Sequence, residues 1–240
     1  MKPRDEAGLR PSRRGLVRAA AGLAASAGLG VAGFAKAEIE ARSGEPGADR
    51  GAAARAAAVE PFWGDHQGGI ATPAQSHSYF AALDLDTAKR DDVIRMLRAW
   101  TAAAAHMAAG QTAAPIGQDV AAPGPDTGEA LGLPAARLTL TFGFGAGLFS
   151  RDGKDRYGLA VRRPPALADL PKFDGDQLAE ARTGGDLSVQ ACADDPQVVF
   201  HAVRQLARLA YGTARVRWAQ TGYMTRPDGE ATPRNLMGFR

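Results

Sequence analysis

One cysteine, Cys192, stands among the 240 residues, which excludes an intramolecular disulfide. It lies in the apolar run at 186–193 and reads as a small buried hydrophobe. There is no cysteine pair, no His-x-x-x-His and no His-Glu-x-x-His, so the spacings of a structural zinc or a zincin site are missing. The Gly-x-Ser-x-Gly elbow of a serine hydrolase is missing too. Gly143, Gly145 and Gly147 repeat glycine at alternate positions but lack the spacing and downstream partners of a phosphate-binding fingerprint. Close backbone packing after a strand accounts for them better.

Strongly apolar runs are scarce. The weak one at residues 19–35 is mostly Ala and Gly, too short and too poor in large side chains to span a membrane. It follows Ser12-Arg13-Arg14-Gly15-Leu16-Val17-Arg18 and runs into Ala35-Lys36-Ala37. A basic region, an apolar run and a small-residue cleavage site in that order predict a twin-arginine signal peptide over residues 1–37. The expected destination is the periplasm or another extracytoplasmic space. That route carries folded proteins and suits a cofactor assembled in the cytoplasm.

The charge balance follows from this assignment. Residues 1–37 hold seven basic and two acidic side chains, leaving 22 basic against 24 acidic in the remainder, a formal −2. The basic character of the whole chain therefore belongs to the leader. The remaining 203 residues carry no global electrostatic case for nucleic acid, and they suffice for one domain with a substantial core.

Residues 38–60 are rich in Ala, Gly, Arg and Glu without apolar periodicity and read as a flexible tether. From Pro61 onward the pattern is that of one lobe, 61–240. Residues 76–85 alternate and predict a strand ended by Asp84 and Asp86, which can open a helix. Val93, Leu97, Trp100 and Ala104 then recur at helical spacing, and Gly110 stops that helix. Residues 111–136 read as a long loop, with a solvated surface the expectation for Asp126 and Glu129. A second strand is expected at 137–143, an irregular stretch at 150–185 and a third strand at 186–193. Asp194 or Asp195 caps a second helix with Pro196 in its first turn and Val199, Val203, Leu206 and Ala210 as its stripe. Gly212 ends it, and a fourth strand follows at 213–225. Asp152-Gly153, Asp174-Gly175 and Asp228-Gly229 mark turns. The order β-α-β-β-α-β predicts an α+β, ferredoxin-like lobe.

Several segments together carry a family resemblance. Pro61-Phe62-Trp63-Gly64-Asp65-His66-Gln67-Gly68-Gly69-Ile70-Ala71-Thr72-Pro73, then Asp126-Thr127-Gly128-Glu129-Ala130 with residues 136–143, then residues 186–193, resemble the deferrochelatase/peroxidase branch of the dye-decolorizing haem peroxidases. Pro233-Arg234-Asn235-Leu236-Met237-Gly238-Phe239-Arg240 resembles the approach to that family's haem-pocket motif Gly-x-x-Asp-Gly, with Gly238, Phe239 and Arg240 as its first three residues.

The resemblance implies one ferredoxin-like half of a two-lobed dimeric α+β barrel. It implies haem b as cofactor, hydrogen peroxide and a reducing substrate (or haem itself) as partners, and a deferrochelatase-like release of iron from haem. In such an enzyme a distal Asp moves the peroxide proton, a distal Arg stabilises the developing charge and a proximal His ligates the iron. None of the three has a counterpart here; the Asp would follow Arg240, so the chain alone is expected to be inactive. Gly238, Phe239 and Arg240 are the expected haem-facing residues. Of the four histidines, His106 and His201 read as surface or satisfied core residues and His77 as a strand opener, while His66 reads as structural or substrate-channel rather than as a ligand. The alternative is a non-catalytic exported ferredoxin-like binding or assembly module, with homo-oligomerisation through free strand edges open to it.

Overall fold

A four-stranded antiparallel sheet organises the computed structural model, which describes residues 54, 57–115, 124–168, 171–224, 234–235 and 237–239. The expected signal peptide, most of the expected tether, the Asp228-Gly229 pair and Arg240 lie outside the described residues. Strand β1 (His77–Leu85) leads to helix α1 (Arg90–Ala108) and strand β2 (Thr139–Phe144). A one-turn helix α2 (Ala146–Phe149) and a small hairpin, β3 (Ser150–Arg151) with β4 (Lys154–Asp155), precede strand β5 (Leu187–Ala193). Helix α3 (Pro196–Leu209) and strand β6 (Ala214–Tyr223) complete the lobe. The spatial order is β2-β5-β1-β6, with every neighbour antiparallel. That is the ferredoxin-like arrangement expected from the sequence.

Alternation explains why these segments pair this way. In β5, Leu187, Val189, Ala191 and Ala193 are buried toward the helices, whereas Ser188, Gln190 and Cys192 face the other side. Cys192 is half-buried on that second face, beside the Gln190 amide at 3.4 Å, so it is not the core residue expected from its apolar neighbours. Both helices pack against one another and against the buried face of the sheet. Trp100 of α1 is the largest fully buried side chain; its ring stacks on Phe142 of β2 (5.4 Å between centroids) and its indole N–H donates to the Leu206 carbonyl at 2.8 Å. That bond joins the helices while satisfying a polar atom that burial would otherwise leave costly.

The element ends are chemically legible. Asp195 caps α3 by accepting from the Gln197 and Val198 N–H groups at 2.7 and 3.1 Å, with Pro196 beside it. Gly110 and Gly212, at φ +74° and +78°, stop the two helices as expected. Gly143, Gly145 and Gly147 are packed as expected: a Cβ on them would collide with Ser188 Oγ, the Gly185 carbonyl and the Asp186 carboxylate.

Three expectations are corrected. Asp84 does not end β1; it lies within it, buried, and pairs with Arg217 at 3.2 Å and Arg215 at 3.5 Å. The charges of β6 pull it inward, and α1 starts at Arg90 without a side-chain cap. Strand β2 starts at Thr139, because Ala136 and Arg137 adopt positive φ of 50° and 55° and turn the chain first. The lobe's contacts begin before Pro61: the Arg137 N–H donates to the Ala58 carbonyl at 2.9 Å, and Arg137 Nε pairs with Glu60 at 3.0 Å.

The sheet face away from the helices remains open in its middle. Thr141, Gln190 and Gln220 are exposed there, and Phe80 stacks on Trp218 at 5.2 Å. Two segments border this trough. Residues 68–69 lie along Thr139 and Thr141, and residues 180–185 are fastened by Arg217 to the Thr183 and Glu180 carbonyls and by Trp218 to the Gly184 carbonyl.

Candidate functional site

Helix α3 presents Gln197, His201, Arg204, Gln205 and Arg208 at intervals of three and four residues, which puts them on one side. They meet the connection before β2. His201 Nε2 lies 3.3 Å from Asp126 Oδ2, and its Nδ1 lies 2.8 Å from Glu129 Oε2. Arg204 Nε pairs with the other Glu129 oxygen at 2.7 Å. Gln205 Nε2 reaches Glu129 at 3.3 Å and also Thr127 Oγ1, while Arg208 donates to the Gln205 side-chain Oε1 at 2.9 Å and to the Gly124 backbone carbonyl at 2.8 Å. Asp126 further accepts the Ala113 and Gly128 N–H groups, each at 2.7 Å.

Burial of Glu129 works to raise its pKa, but hydrogen bonds from Thr127 and His201 outweigh it and bring the carboxyl down to about 2. Asp126, Glu129 and His201 each offer a ligand atom within 4.8 Å of the others, a set whose composition suits a divalent cation. Every one of those atoms is already engaged by the protein, however, and the ring lies between the carboxylates. The arrangement acts as an ion-paired clamp. His201 is the satisfied core histidine expected from the sequence. Asp126 and Glu129 are not the solvated loop residues expected, since the Asp126 side chain is fully buried.

A second ionic knot, missed in the sequence, sits where α2 meets the sheet. The Asp186 side chain, 4% exposed, accepts from the Leu85 N–H at 2.8 Å, from Arg156 at 3.0 Å and from Arg151. Arg156 also donates to the Leu85 and Gly147 carbonyls. Burial acts to raise the Asp186 pKa, and the Arg151, Leu85 and Arg156 hydrogen bonds overcome it, so the carboxyl lies below its usual range. An aspartate opening an apolar strand is the one sequence signal that could have marked it.

The other sequence-predicted residues do not converge. Gly238 and Phe239 lie in a turn whose bonds, among the described residues, are internal: Asn235 Oδ1 accepts from Met237 and Phe239 N–H at 3.0 Å, and Arg234 donates to the Gly238 carbonyl at 2.8 Å. Gly238 has φ +86° with open space where a Cβ would stand, and Phe239 is exposed. His66 and His106 are exposed, and His77 is in β1 across from Tyr223. Among the described residues, no histidine is aimed into a recess that could seat a haem, and the donor set does not fit that cofactor.

Comparison with known proteins agrees with this architecture. Residues 67–224 match the family described as "Dyp-type peroxidase, N-terminal". The deferrochelatase of Escherichia coli strain K12 is 32% identical over 246 residues, covering the whole chain and 55% of that protein. The Escherichia coli O157:H7 deferrochelatase is 34% identical over 186 residues, covering 75% of the chain and 43% of its own length. Among solved structures, ferric DtpA from Streptomyces lividans superposes with a TM-score of 0.65 at 39% identity, over 77% of this chain and 47% of that one. A DyP-type peroxidase from Cellulomonas bogoriensis gives 0.63 at 39%, over 76% and 48%. The chain belongs to the DyP-type peroxidase family. It spans about half the length of the curated relatives it matches.

Proposed function

We propose that this chain is the N-terminal lobe of an exported haem peroxidase of the dye-decolorizing type, with the cofactor, haem b, bound by other sequence. Hydrogen peroxide and a reducing substrate are the reactants of that enzyme. The name carried by the curated relatives extends the proposal to release of iron from haem. The twin-arginine pattern at Arg13 and Arg14 supports delivery to the periplasm or another extracytoplasmic space. No helix among the described residues is long and apolar enough to cross a membrane.

One observation carries the reading most directly: the trough on the open sheet face. A sheet stable on one helical layer still presents Phe80 and Trp218 between polar neighbours, a surface that fits a second sheet packed face to face. Haem, when bound, supplies the redox chemistry of peroxide cleavage. The described residues supply the scaffold: a rigid sheet, the clamp over α3 and the ionic knot at Asp186.

This division of labour predicts that the haemin-treated chain turns over peroxide no faster than free haemin. Turnover well above that level overturns it.

The completeness of the four-stranded sheet favours a second reading, a self-sufficient binding module. Dye binding separates the two. A lobe awaiting its partner binds an apolar dye at the trough, and Phe80→Ser lowers the signal. A self-sufficient module binds none.

A further inference from the structure

Residues 58–73 contain no strand or helix, yet they touch both layers at one margin of the sheet. Phe62 packs on the core, and Trp63 shares a recess with Ile94, Leu97 and Thr101 of α1. Gly68 and Gly69 then return against Thr139 and Thr141 on the open face. The segment thus spans the thickness of the sheet along β2. Among the described residues, every hydrogen bond that ties it to the rest of the lobe runs to Arg137. The Arg137 N–H donates to the Ala58 carbonyl at 2.9 Å, Nε to Glu60 at 3.0 Å and Nη2 to the Pro73 carbonyl at 2.8 Å. The bonds of Gly69, Ile70 and Thr72 stay within the segment. Arg137 Nη1 rests on Asp194 at 3.2 Å, which anchors the guanidinium beside the start of α3. The left-handed turn at Ala136 and Arg137 is what lays that side chain against the segment.

Strand β2 has reason to need a cover. It pairs with β5 on one side, and its other edge presents N–H and C=O groups open to another strand. Its six residues, Thr-Leu-Thr-Phe-Gly-Phe, hold no charge and no proline. Such a composition pairs readily with copies of itself. The opposite edge strand, β6, carries Arg215 and Arg217, charges of the kind that resist edge-to-edge pairing. On β2 no charge performs that task. Two β2 strands related by a two-fold axis bring no like charges opposite one another, which makes a second copy of this chain the fitting occupant of the edge.

We propose that residues 58–73 are a releasable guard over the β2 edge, buckled by Arg137, and that the bared edge pairs with β2 of a second copy. Phe62 is the segment's one contribution to the core among the described residues, so its release is local and leaves the four strands paired. The guard acts on this edge whether or not the lobe serves a peroxidase.

The test uses the full chain carrying Phe80→Ser, which removes the aromatic stack of the trough and so sets aside association through the open face. Arg137→Asn drops the guanidinium while keeping a residue that tolerates left-handed backbone. Glu60→Gln weakens one tie from the segment's side and leaves Arg137 on Asp194. Sedimentation velocity over a concentration series and amide hydrogen exchange are read on the same samples. Residues 58–73 are expected to exchange about tenfold faster in Arg137→Asn, and less than that in Glu60→Gln, while β5 amides hold. A concentration-dependent dimer should strengthen in the same order, with β2 amides gaining protection as it forms. Adding Thr141→Lys, which puts a charge on β2, should return the monomer. Should Arg137→Asn lose β5 protection as well, Glu60→Gln is read alone by the same criteria. Faster exchange of the segment without a dimer overturns the proposal. So does a dimer equally strong with the guard intact, one in which β2 amides gain no protection, or one that Thr141→Lys leaves unchanged.

Discussion

Asp186 fills the space that a side chain on Gly147 would need. Its carboxylate oxygen lies well within van der Waals contact of where a Cβ would be built, while its other oxygen takes the Arg156 guanidinium at 3.0 Å and the Leu85 N–H at 2.8 Å. The glycine after β2 and the aspartate before β5 thus form one structural unit, in which the backbone approaches closely because an ion pair occupies the gap.

Gly147→Ala is expected to destabilise the lobe by about 1–3 kcal/mol, through displacement of that carboxylate. Asp186→Asn should cost about 3–5 kcal/mol, because it leaves Arg156 buried without its countercharge. Urea denaturation of the three proteins at neutral pH checks both. A Gly147→Ala variant as stable as the parent contradicts the packing argument.

How far the sequence could be read follows from the same residues. Strand and helix order was legible because β5 alternates residue by residue and α3 carries Val199, Val203, Leu206 and Ala210 on one stripe. Asp195, Pro196, Gly110 and Gly212 announced their ends through local backbone chemistry. Charged residues with distant partners were not legible. Asp84 meets Arg215 and Arg217 across the sheet, and Asp126 meets His201 some 75 positions further along. Nothing local tells a buried carboxylate from a turn-forming one until the fold brings its cation near. Cys192 shows the converse, since an apolar neighbourhood in a strand does not say which of two faces a residue takes.

Acid stability should report Glu129. Its carboxyl falls from an ordinary value of 4.5 to about 2 in the folded lobe. A depressed folded value contributes stability that is present above about pH 4.5 and is lost as pH falls toward 2. Melting temperature followed from pH 6 to pH 2 (roughly the span in which carboxylates titrate) should fall less steeply in Glu129→Gln than in the parent. Equal slopes contradict the assignment.

Trp100 joins both helices to the sheet. Trp100→Ala removes its stacking on Phe142 and leaves a cavity, for an expected cost of about 3–5 kcal/mol. Trp100→Phe keeps most of the packing but withdraws the N–H from the Leu206 carbonyl, and should cost less, about 1–3 kcal/mol. Chemical denaturation ranks the three proteins, and a phenylalanine variant as damaged as the alanine one contradicts the account.

The central claim is that this lobe scaffolds a haem site without holding the haem. A haemin titration of the 240-residue chain, followed by visible absorption, tests it most directly. His201 is locked between Asp126 and Glu129, and the turn carrying Gly238 and Phe239 closes on itself. The account therefore predicts no saturable Soret shift and a spectrum that follows free haemin. A sharp one-to-one shift, abolished by His66→Gln or His106→Gln, would contradict it and place an axial ligand within this chain.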